Sequence, residues 1–197
     1  MPLTPPQLDA LTELINIGLG RAAAILNEMA TSHVKLVSPK IEVLSLESIL
    51  MGKGRQLDAS LSAVKMSFMG TMAGSAFLAF PPESALRLVS LLTGEDRDSP
   101  DLDSLKMETL NEVGNIVLNG VLGSIANALE GTMNYTIPSY QEGTLKALFI
   151  ENVNEYDMVV LAVAEFSVEE RNVHGDTLLI LEPKSFRTLL TTIAPEG

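Results

Sequence analysis

The stretch "LDALTELINIGLG" at residues 8–20 places two acids and an amide on one face of an amphipathic helix. Asp9, Glu13 and Asn16 stand at positions i, i+4 and i+7, which share a helix face. On a helical wheel this face lies about 100° from the centre of the apolar stripe, so we expect it at the edge of the core or in solvent. Asparagine is a mediocre helix former, because its side chain competes for backbone hydrogen bonds. Its presence in a helix interior therefore needs a reason.

The same pattern occurs a second time, 99 residues further along the chain. Both copies contain an acid, then a glutamate, an asparagine and, after 22 intervening residues, a proline. The two copies read Asp9-x3-Glu13-x2-Asn16-x22-Pro39 and Glu108-x3-Glu112-x2-Asn115-x22-Pro138. A single copy would suggest no more than a solvated helix face, but two copies in register indicate an internal duplication.

The predicted secondary structure repeats in the same way. Thr4 and Gln7 predict a capping box at the start of a helix that runs to about residue 30. Apolar residues at the 3.6 period predict its core face, which comprises Leu8, Leu11, Ile15, Leu19, Ala22, Leu26 and Met29. Further helices are predicted at 83–94, 104–131 and 183–193, with a polar linker at 95–103. Strands are predicted at 34–37, 41–46, 61–68, 75–80, 134–137, 145–150, 157–166 and 176–181. The order helix–strands–helix thus occurs twice, in halves of about 1–99 and 100–197, and we expect residues 1–197 to form a single domain.

Small side chains follow the polar groups on each of the two motif helices. These positions are Gly20, Ala23 and Asn27 in the first half, and Asn119, Gly123 and Ala126 in the second. A nearly bare helix surface allows another backbone to approach closely. That backbone could belong to a partner protein or to a neighbouring element of the same chain.

Composition excludes several classes of function. The net charge of −12 over 197 residues disfavours nucleic acid and anionic membranes as partners. The chain has no cysteine and two histidines, which excludes a cysteine zinc site and disfavours a metal site built on histidine. Neither a signal peptide nor an apolar run long enough to span a bilayer is evident, so we expect a cytoplasmic protein.

A carboxylate and a carboxamide one helical turn apart suit one kind of chemistry better than others. Paired carboxylates act in glycosidases, but this chain shows no aromatic platform for a sugar, and one or two acids with an amide make a thin set of metal ligands. A carboxamide both donates and accepts hydrogen bonds, so it can hold a water molecule in line with a phosphoryl group. Positioning is most of what phosphoryl hydrolysis requires. The neighbouring acid would be repelled by phosphate and is better suited to pairing with a Lys or Arg of a partner.

The duplicated motif resembles the signature of the CheC-type chemotaxis phosphatases, a family that includes CheC, CheX and FliY. In length, and in having two intact motifs, the chain is most similar to CheC. The resemblance implies an α+β fold with a long, mostly antiparallel sheet and two site-bearing helices side by side. It also implies hydrolysis of the aspartyl phosphate on the response regulator CheY. Glu108 departs from the family pattern, which favours Asp or Ser at that position.

The resemblance also implies roles for individual residues. Asn16 and Asn115 would orient the attacking water, Glu13 and Glu112 would pair with a basic residue of the regulator, and the motif prolines Pro39 and Pro138 would be structural. The remaining positions are expected to bind the partner: Asp9, Gly20, Ala23, Glu108, Asn119 and Gly123. The divalent cation, Mg2+, would belong to the regulator, so no metal site or cofactor is expected on this chain. The receptor deamidase CheD is a further candidate partner, although no receptor-like docking segment stands out.

Two other interpretations stay open at this point. The chain could be a non-catalytic module that binds the regulator or the flagellar switch, for which the small-residue surface would suffice. Alternatively, the two helices could merely pack a symmetric core or a dimer. That interpretation predicts that Asn16 and Asn115 are fully buried, with their amides hydrogen-bonded inside the protein.

Overall fold

A computed structural model of the protein describes residues 3–29, 33–38, 40–45, 48, 58–96, 99, 102–150, 158–168 and 171–194. The helices are α1 (Pro5–Met29), α2 (Pro82–Thr93), α3 (Leu102–Ala128), α4 (Leu145–Ile150) and α5 (Pro183–Ile193). The strands are β1 (Val34–Val37), β2 (Ile41–Ser45), β3 (Ser60–Gly70), β4 (Gly74–Phe80), β5 (Met133–Tyr135), β6 (Ser139–Thr144), β7 (Met158–Val168) and β8 (Arg171–Leu181). Within these residues, no helix combines the length and apolar character needed to cross a membrane.

The strands form one antiparallel sheet with pseudo-two-fold symmetry. Its order is β1-β7-β8-β4-β3-β5, with β2 also beside β7 and β6 also beside β3. The central pair is β4 and β8, one from each half. On each side of that pair, a long strand is followed by two short strands. The short strands β1 and β2 of the first half pair with β7 of the second half, and β5 and β6 of the second half pair with β3 of the first. The predicted α+β fold with a duplicated helix–strands–helix unit is therefore confirmed.

The two motif helices, α1 and α3, lie side by side and antiparallel. Their backbones meet where a Cβ built on Gly18 would lie 2.5 Å from the Cα of Val121 and 2.6 Å from the carbonyl oxygen of Gly120. One turn away, the Ser124 hydroxyl donates a 2.7 Å hydrogen bond to the carbonyl of Leu14. The glycines thus permit a separation that larger side chains would prevent.

The glycines named in the sequence, Gly20 and Gly123, do not make this contact. A Cβ on either would meet no atom within 4 Å in the part of the chain that the structure describes. The alternative that they pack against an element of the same chain is therefore wrong. Their side of the helix pair is open, whereas Gly18 and Gly120 carry the packing.

The first helix begins where the sequence predicts. The backbone N–H of Thr4 donates to Oε1 of Gln7 at 3.0 Å, and the N–H of Gln7 donates to Oγ1 of Thr4 at 3.4 Å, which is the predicted capping box. The inner positions of the predicted core face are buried, namely Leu11, Ile15, Leu19, Ala22 and Leu26. Leu8 and Met29, at the two ends of the predicted core face, are instead exposed.

The second half differs from the prediction in one wrong element and one strand that the sequence pattern does not reveal. Residues 145–150, predicted as a strand, form helix α4, and residues 139–144, for which no element was predicted, form strand β6. In "LKALFI" the buried residues Leu145 and Leu148 are three apart, which is a helical spacing, and they pack on the sheet face that carries Phe77. The Thr144 hydroxyl accepts a 3.1 Å hydrogen bond from the N–H of Ala147 and caps the helix.

We expect Gly18→Ala to lower the free energy of unfolding by about 1–3 kcal/mol, because the new methyl group would overlap the backbone of α3. The matched control is Gly20→Ala on the same helix, where space is open and alanine has the higher helix propensity. Urea unfolding of the two variants would test this expectation. Equal midpoints for Gly18→Ala and Gly20→Ala would mean that the close contact does not hold the helices together.

Candidate functional site

The second motif lines an open cleft between α3 and the segment that follows β5. Glu108, Glu112 and Asn115 form one side of this cleft, and Ile137 and Pro138 form the other. Both glutamates are exposed, and Asn115 and Pro138 are half-buried. The structure thus brings together the four predicted residues of the second motif at one solvent-accessible place.

A bulge shapes the far wall of this cleft. Strand β3 pairs Phe68 with Tyr135 of β5 and Lys65 with Ser139 of β6. Between these pairs, two residues of β3 face three residues of the opposite strand, so one residue is extra and the local backbone turns outward. Ile137 lies in this bulge and is 89% exposed, which is unusual for a large apolar side chain.

The carboxamide of Asn115 is held by its neighbour one turn along the helix. Nδ2 of Asn119 donates to Oδ1 of Asn115 at 2.7 Å and to the backbone carbonyl of Asn115 at 2.8 Å. No described residue accepts a hydrogen bond from Nδ2 of Asn115. The same cleft also contains Asn111, whose buried Oδ1 has no partner among the described residues.

The first motif is built differently, although its sequence pattern is the same. Oδ1 of Asn16 accepts a 2.9 Å hydrogen bond from the N–H of Ser38, and Nδ2 of Asn16 donates to the carbonyl of Ser38 at 3.4 Å. Asn27 binds the backbone of Val34 in the same two-sided way, at 2.6 and 2.7 Å. The two asparagines therefore hold both ends of β1 against α1. Pro39, predicted to be structural, lies outside the described residues.

The remaining residues predicted at the first site lie on the open side of α1. Asp9 and Glu13 are exposed, and Asn16 is half-buried. Gly20 is exposed and Ala23 is half-buried, and both line a shallow groove that Asn16 also lines. In the second half, Asn119 is exposed and Gly123 is half-buried.

The interpretation that the helices only pack a core is contradicted in its main requirement. It requires Asn16 and Asn115 to be fully buried, and both are half-buried. Its second requirement, an amide bonded within the protein, is met at both ends of the Asn16 carboxamide but only at the oxygen of Asn115.

Glu108 and Glu112 also border a second cleft, on the other side of their ridge. Its apolar floor comes from Leu26 and Met29 of α1, Leu92 of α2 and Leu105 of α3. An acidic rim over an apolar floor suits a lysine or arginine side chain, whose aliphatic stem packs on apolar surface while its charged end stays at the rim. This arrangement is consistent with the predicted pairing role of Glu112.

A polar network fixes the start of α3 to the sheet. Nζ of Lys106 lies 2.7 Å from a carboxylate oxygen of Glu142, and the Tyr140 hydroxyl donates to the same oxygen. The hydrogen bond from Lys106, followed by that from Tyr140, lowers the pKa of Glu142. The bond to Glu142 raises the pKa of Lys106, and burial is the first cause of the raised pKa of Tyr140. Because Lys106 precedes Met107 and Glu108 on α3, this network positions one rim of the cleft.

Sequence reasoning missed Ser38, Met107, Asn111 and Ile137 as residues of the two sites. Ser38 and Ile137 each precede a motif proline and occupy equivalent positions, 99 residues apart. Asn111 precedes Asn115 by four residues and so shares its helix face. These two spacings were available in the sequence, whereas the bulge that exposes Ile137 was not.

Residues 62–160, half of the chain, match the family model described as chemotaxis phosphatase CheX. The chain belongs to the chemotaxis phosphatase CheX family. The match confirms the resemblance to the CheC-type phosphatases, and it contains the whole second motif but not the first. The chain is also 25% identical, over 156 residues, to the CheY-P phosphatase CheC of Bacillus subtilis, covering 78% of this chain and 74% of that protein.

Solved structures of related proteins share the fold. FliY of Thermotoga maritima superposes with a TM-score of 0.77 at 16% identity, covering 100% of both chains. The CheX–CheY–BeF3–Mg2+ complex of Borrelia burgdorferi contains a chain that superposes with a TM-score of 0.55 at 19% identity, covering 87% of this chain and 99% of that one. At these identities the likeness concerns the fold alone.

We expect the two motif asparagines of this CheX-family protein to differ in their effect on stability. Asn16→Ala removes both hydrogen bonds to Ser38 and should cost about 1–3 kcal/mol of unfolding free energy. Asn115→Ala leaves the backbone of the opposite wall untouched and should cost less than about 0.5 kcal/mol. Thermal unfolding of both variants makes the comparison, and a larger loss for Asn115→Ala would contradict the difference between the two motifs.

The network at Lys106 predicts a dependence of stability on pH. A carboxyl group whose pKa is lowered on folding stabilises the protein above its unfolded pKa, and this contribution is lost as pH falls through the lower, folded value. Lys106→Met should therefore raise the pKa of Glu142, measured by NMR titration, and flatten the loss of stability below about pH 4. Lys146→Met, at an exposed lysine on α4, removes the same charge and should leave that titration unchanged. An unchanged Glu142 titration in Lys106→Met would exclude the network as the cause.

Proposed function

We propose that this protein hydrolyses the aspartyl phosphate of a CheY-type response regulator, and that the cleft at Glu112 and Asn115 is its principal working site. The observation that carries the proposal is the state of the Asn115 carboxamide. It lies on the wall of an open cleft, its orientation is fixed, and its amide nitrogen has no partner among the described residues. An exposed glutamate stands three residues earlier on the same face.

In the proposed reaction the chain supplies position rather than acid–base chemistry. Glu112 pairs with a basic residue of the regulator, and the Asn115 carboxamide holds a water molecule through its amide hydrogens or through the remaining lone pair of Oδ1. The water oxygen attacks phosphorus in line, the bond between phosphorus and the carboxyl oxygen breaks, and the regulator's aspartate leaves as a carboxylate. Both protons of the water stay with the phosphate, which is released as H2PO4−. A carboxylate is a good leaving group, so no proton donor on this chain is required. Mg2+ on the regulator would neutralise the phosphoryl charge.

Relatives support this proposal. The Bacillus subtilis relative is named a CheY-P phosphatase, and a fold relative has been solved in complex with CheY, BeF3 and Mg2+. The partner assigned to this chain follows from those names together with the acidic rim of the cleft. CheD as a further partner stays a prediction from the resemblance.

A second function is favoured for the first motif alone. Both ends of the Asn16 carboxamide already bind the backbone of Ser38, so one lone pair of Oδ1 and one amide hydrogen are left for a water molecule, one hydrogen fewer than at Asn115. We propose that Asp9, Glu13 and the groove beside Gly20 and Ala23 bind the regulator with little turnover. The interpretation of a binding module would then apply to one half of the molecule.

Decay of 32P-labelled phospho-CheY, with wild type and asparagine variants, tests these assignments. Asn115→Ala should slow the accelerated decay by about 10- to 100-fold, because the loss of one positioning contact costs a few kcal/mol of transition-state stabilisation. Asn16→Ala, once shown to be folded at the assay temperature, should retain most of the activity. The Asn16→Ala/Asn115→Ala double variant should leave only the intrinsic decay of the regulator.

The glutamates provide the contrast in this experiment. Glu112→Ala should raise the regulator concentration needed for half-maximal rate more than it lowers the maximal rate, because the carboxylate binds and does not position water. Wild-type protein that leaves phospho-CheY decay unchanged would refute the proposed phosphatase. Equal decay with wild type and the double asparagine variant would instead support a binding module in both halves.

A further inference from the structure

The two motif asparagines are fixed by different hydrogen bonds, and comparing equivalent positions of the two halves shows where the difference arises. Ser38, whose backbone holds Asn16, corresponds to Ile137 at the offset of 99 residues. The bulge between β5 and β6 turns Ile137 outward, and the structure gives no hydrogen bond between its backbone and Asn115 among the described residues. The strand that anchors the first asparagine is therefore unavailable to the second.

Asn119 replaces that anchor. Its Nδ2 reaches Oδ1 of Asn115 at 2.7 Å and the carbonyl of the same residue at 2.8 Å, so both bonds converge on one residue. The position equivalent to Asn119 in the first half is Gly20, which has no side chain to offer. Asn16 is thus fixed by the backbone of the opposite strand and Asn115 by the side chain of a neighbour on its own helix, and neither asparagine has both kinds of contact.

We propose that Asn119 is a positioning residue for the second site, which acts through Asn115 and does not bind the regulator itself. This inference rests on the proposed function. A donor on Oδ1 fixes the plane of the carboxamide and points its amide nitrogen away from Asn119. One lone pair of Oδ1 and both amide hydrogens of Asn115 are then left to hold a water molecule without a rotational search at the moment of reaction.

The resemblance implies that Asn119 binds the partner, and kinetics separate that role from positioning. In an Asn16→Ala parent, which isolates the second site, Asn119→Ala should lower kcat about tenfold and leave KM for phospho-CheY within about twofold. A residue that binds the partner would raise KM instead. Asn119→Gln, which retains the amide donor, should recover most of the lost kcat. Asn127→Ala, at an exposed asparagine farther along α3, is the matched control and should change neither constant.

Two further measurements detect the contact itself. In a protein that already carries Asn115→Ala, adding Asn119→Ala should change the residual rate by less than about twofold, since a positioning residue has nothing left to position. In 15N relaxation, the side-chain amide of Asn115 should become more mobile in Asn119→Ala, whereas the melting temperature stays near that of the parent.

The possible failures are distinguishable. An Asn16→Ala parent that is folded but does not accelerate decay would overturn both the proposed second-site activity and the role of Asn119. An active parent in which Asn119→Ala keeps its kcat, raises KM, or makes the Asn115 amide no more mobile would overturn this inference alone.

Discussion

The close contact between the backbones of α1 and α3 is the constraint on which the other features depend. Gly18 and Gly120 allow the helices to approach until a methyl group no longer fits between them. The contact fixes where each motif stands relative to the other helix, because Asn16 and Asn115 lie only two and five residues from it, about 3 and 8 Å along the helix axes. With the helices antiparallel, the motifs project from opposite sides of the crossing. Each motif therefore faces the short strands that follow its own helix.

Exchange of strands between the halves makes the two sites dependent on each other. β1 follows α1 but pairs with β7 of the second half, and β5 follows α3 but pairs with β3 of the first. The wall opposite each motif is thus held by the other half of the chain. A difference between β3 and β7 in how they pair with those walls is enough to make the sites unequal. The extra residue opposite β3 is such a difference, and it opens the second cleft while β1 stays closed on Asn16.

The features of this structure that could be predicted from the sequence are mostly local, whereas those that depend on contacts between distant parts of the chain could not. The capping box at Thr4 and Gln7 and the final helix could be predicted because their signals lie within a few residues. The offset of 99 residues revealed the duplication and the motif residues. Helix α4 could not be distinguished from a strand, since the apolar residues of "LKALFI" fit the helical spacing as well as the strand spacing. The packing of Leu145 and Leu148 on the sheet decides between the two. Nor could the sequence show that Gly18, and not Gly20, meets the neighbouring helix, because that depends on the crossing point.

In the proposed reaction, the rigidity of one helix would tie docking and water positioning together in the second site. Glu112 and Asn115 are separated by three residues, about 4.5 Å along the axis, so a basic residue of the proposed partner held at Glu112 would limit how far the phosphoryl group lies from the amide. Glu108 is a further turn away, about 10 Å from Asn115 along the axis. The Lys106 network fixes the start of this helix to the sheet, which keeps the distance constant. Under the proposed function, the register of this single helix would both hold the partner and direct water at its phosphoryl group.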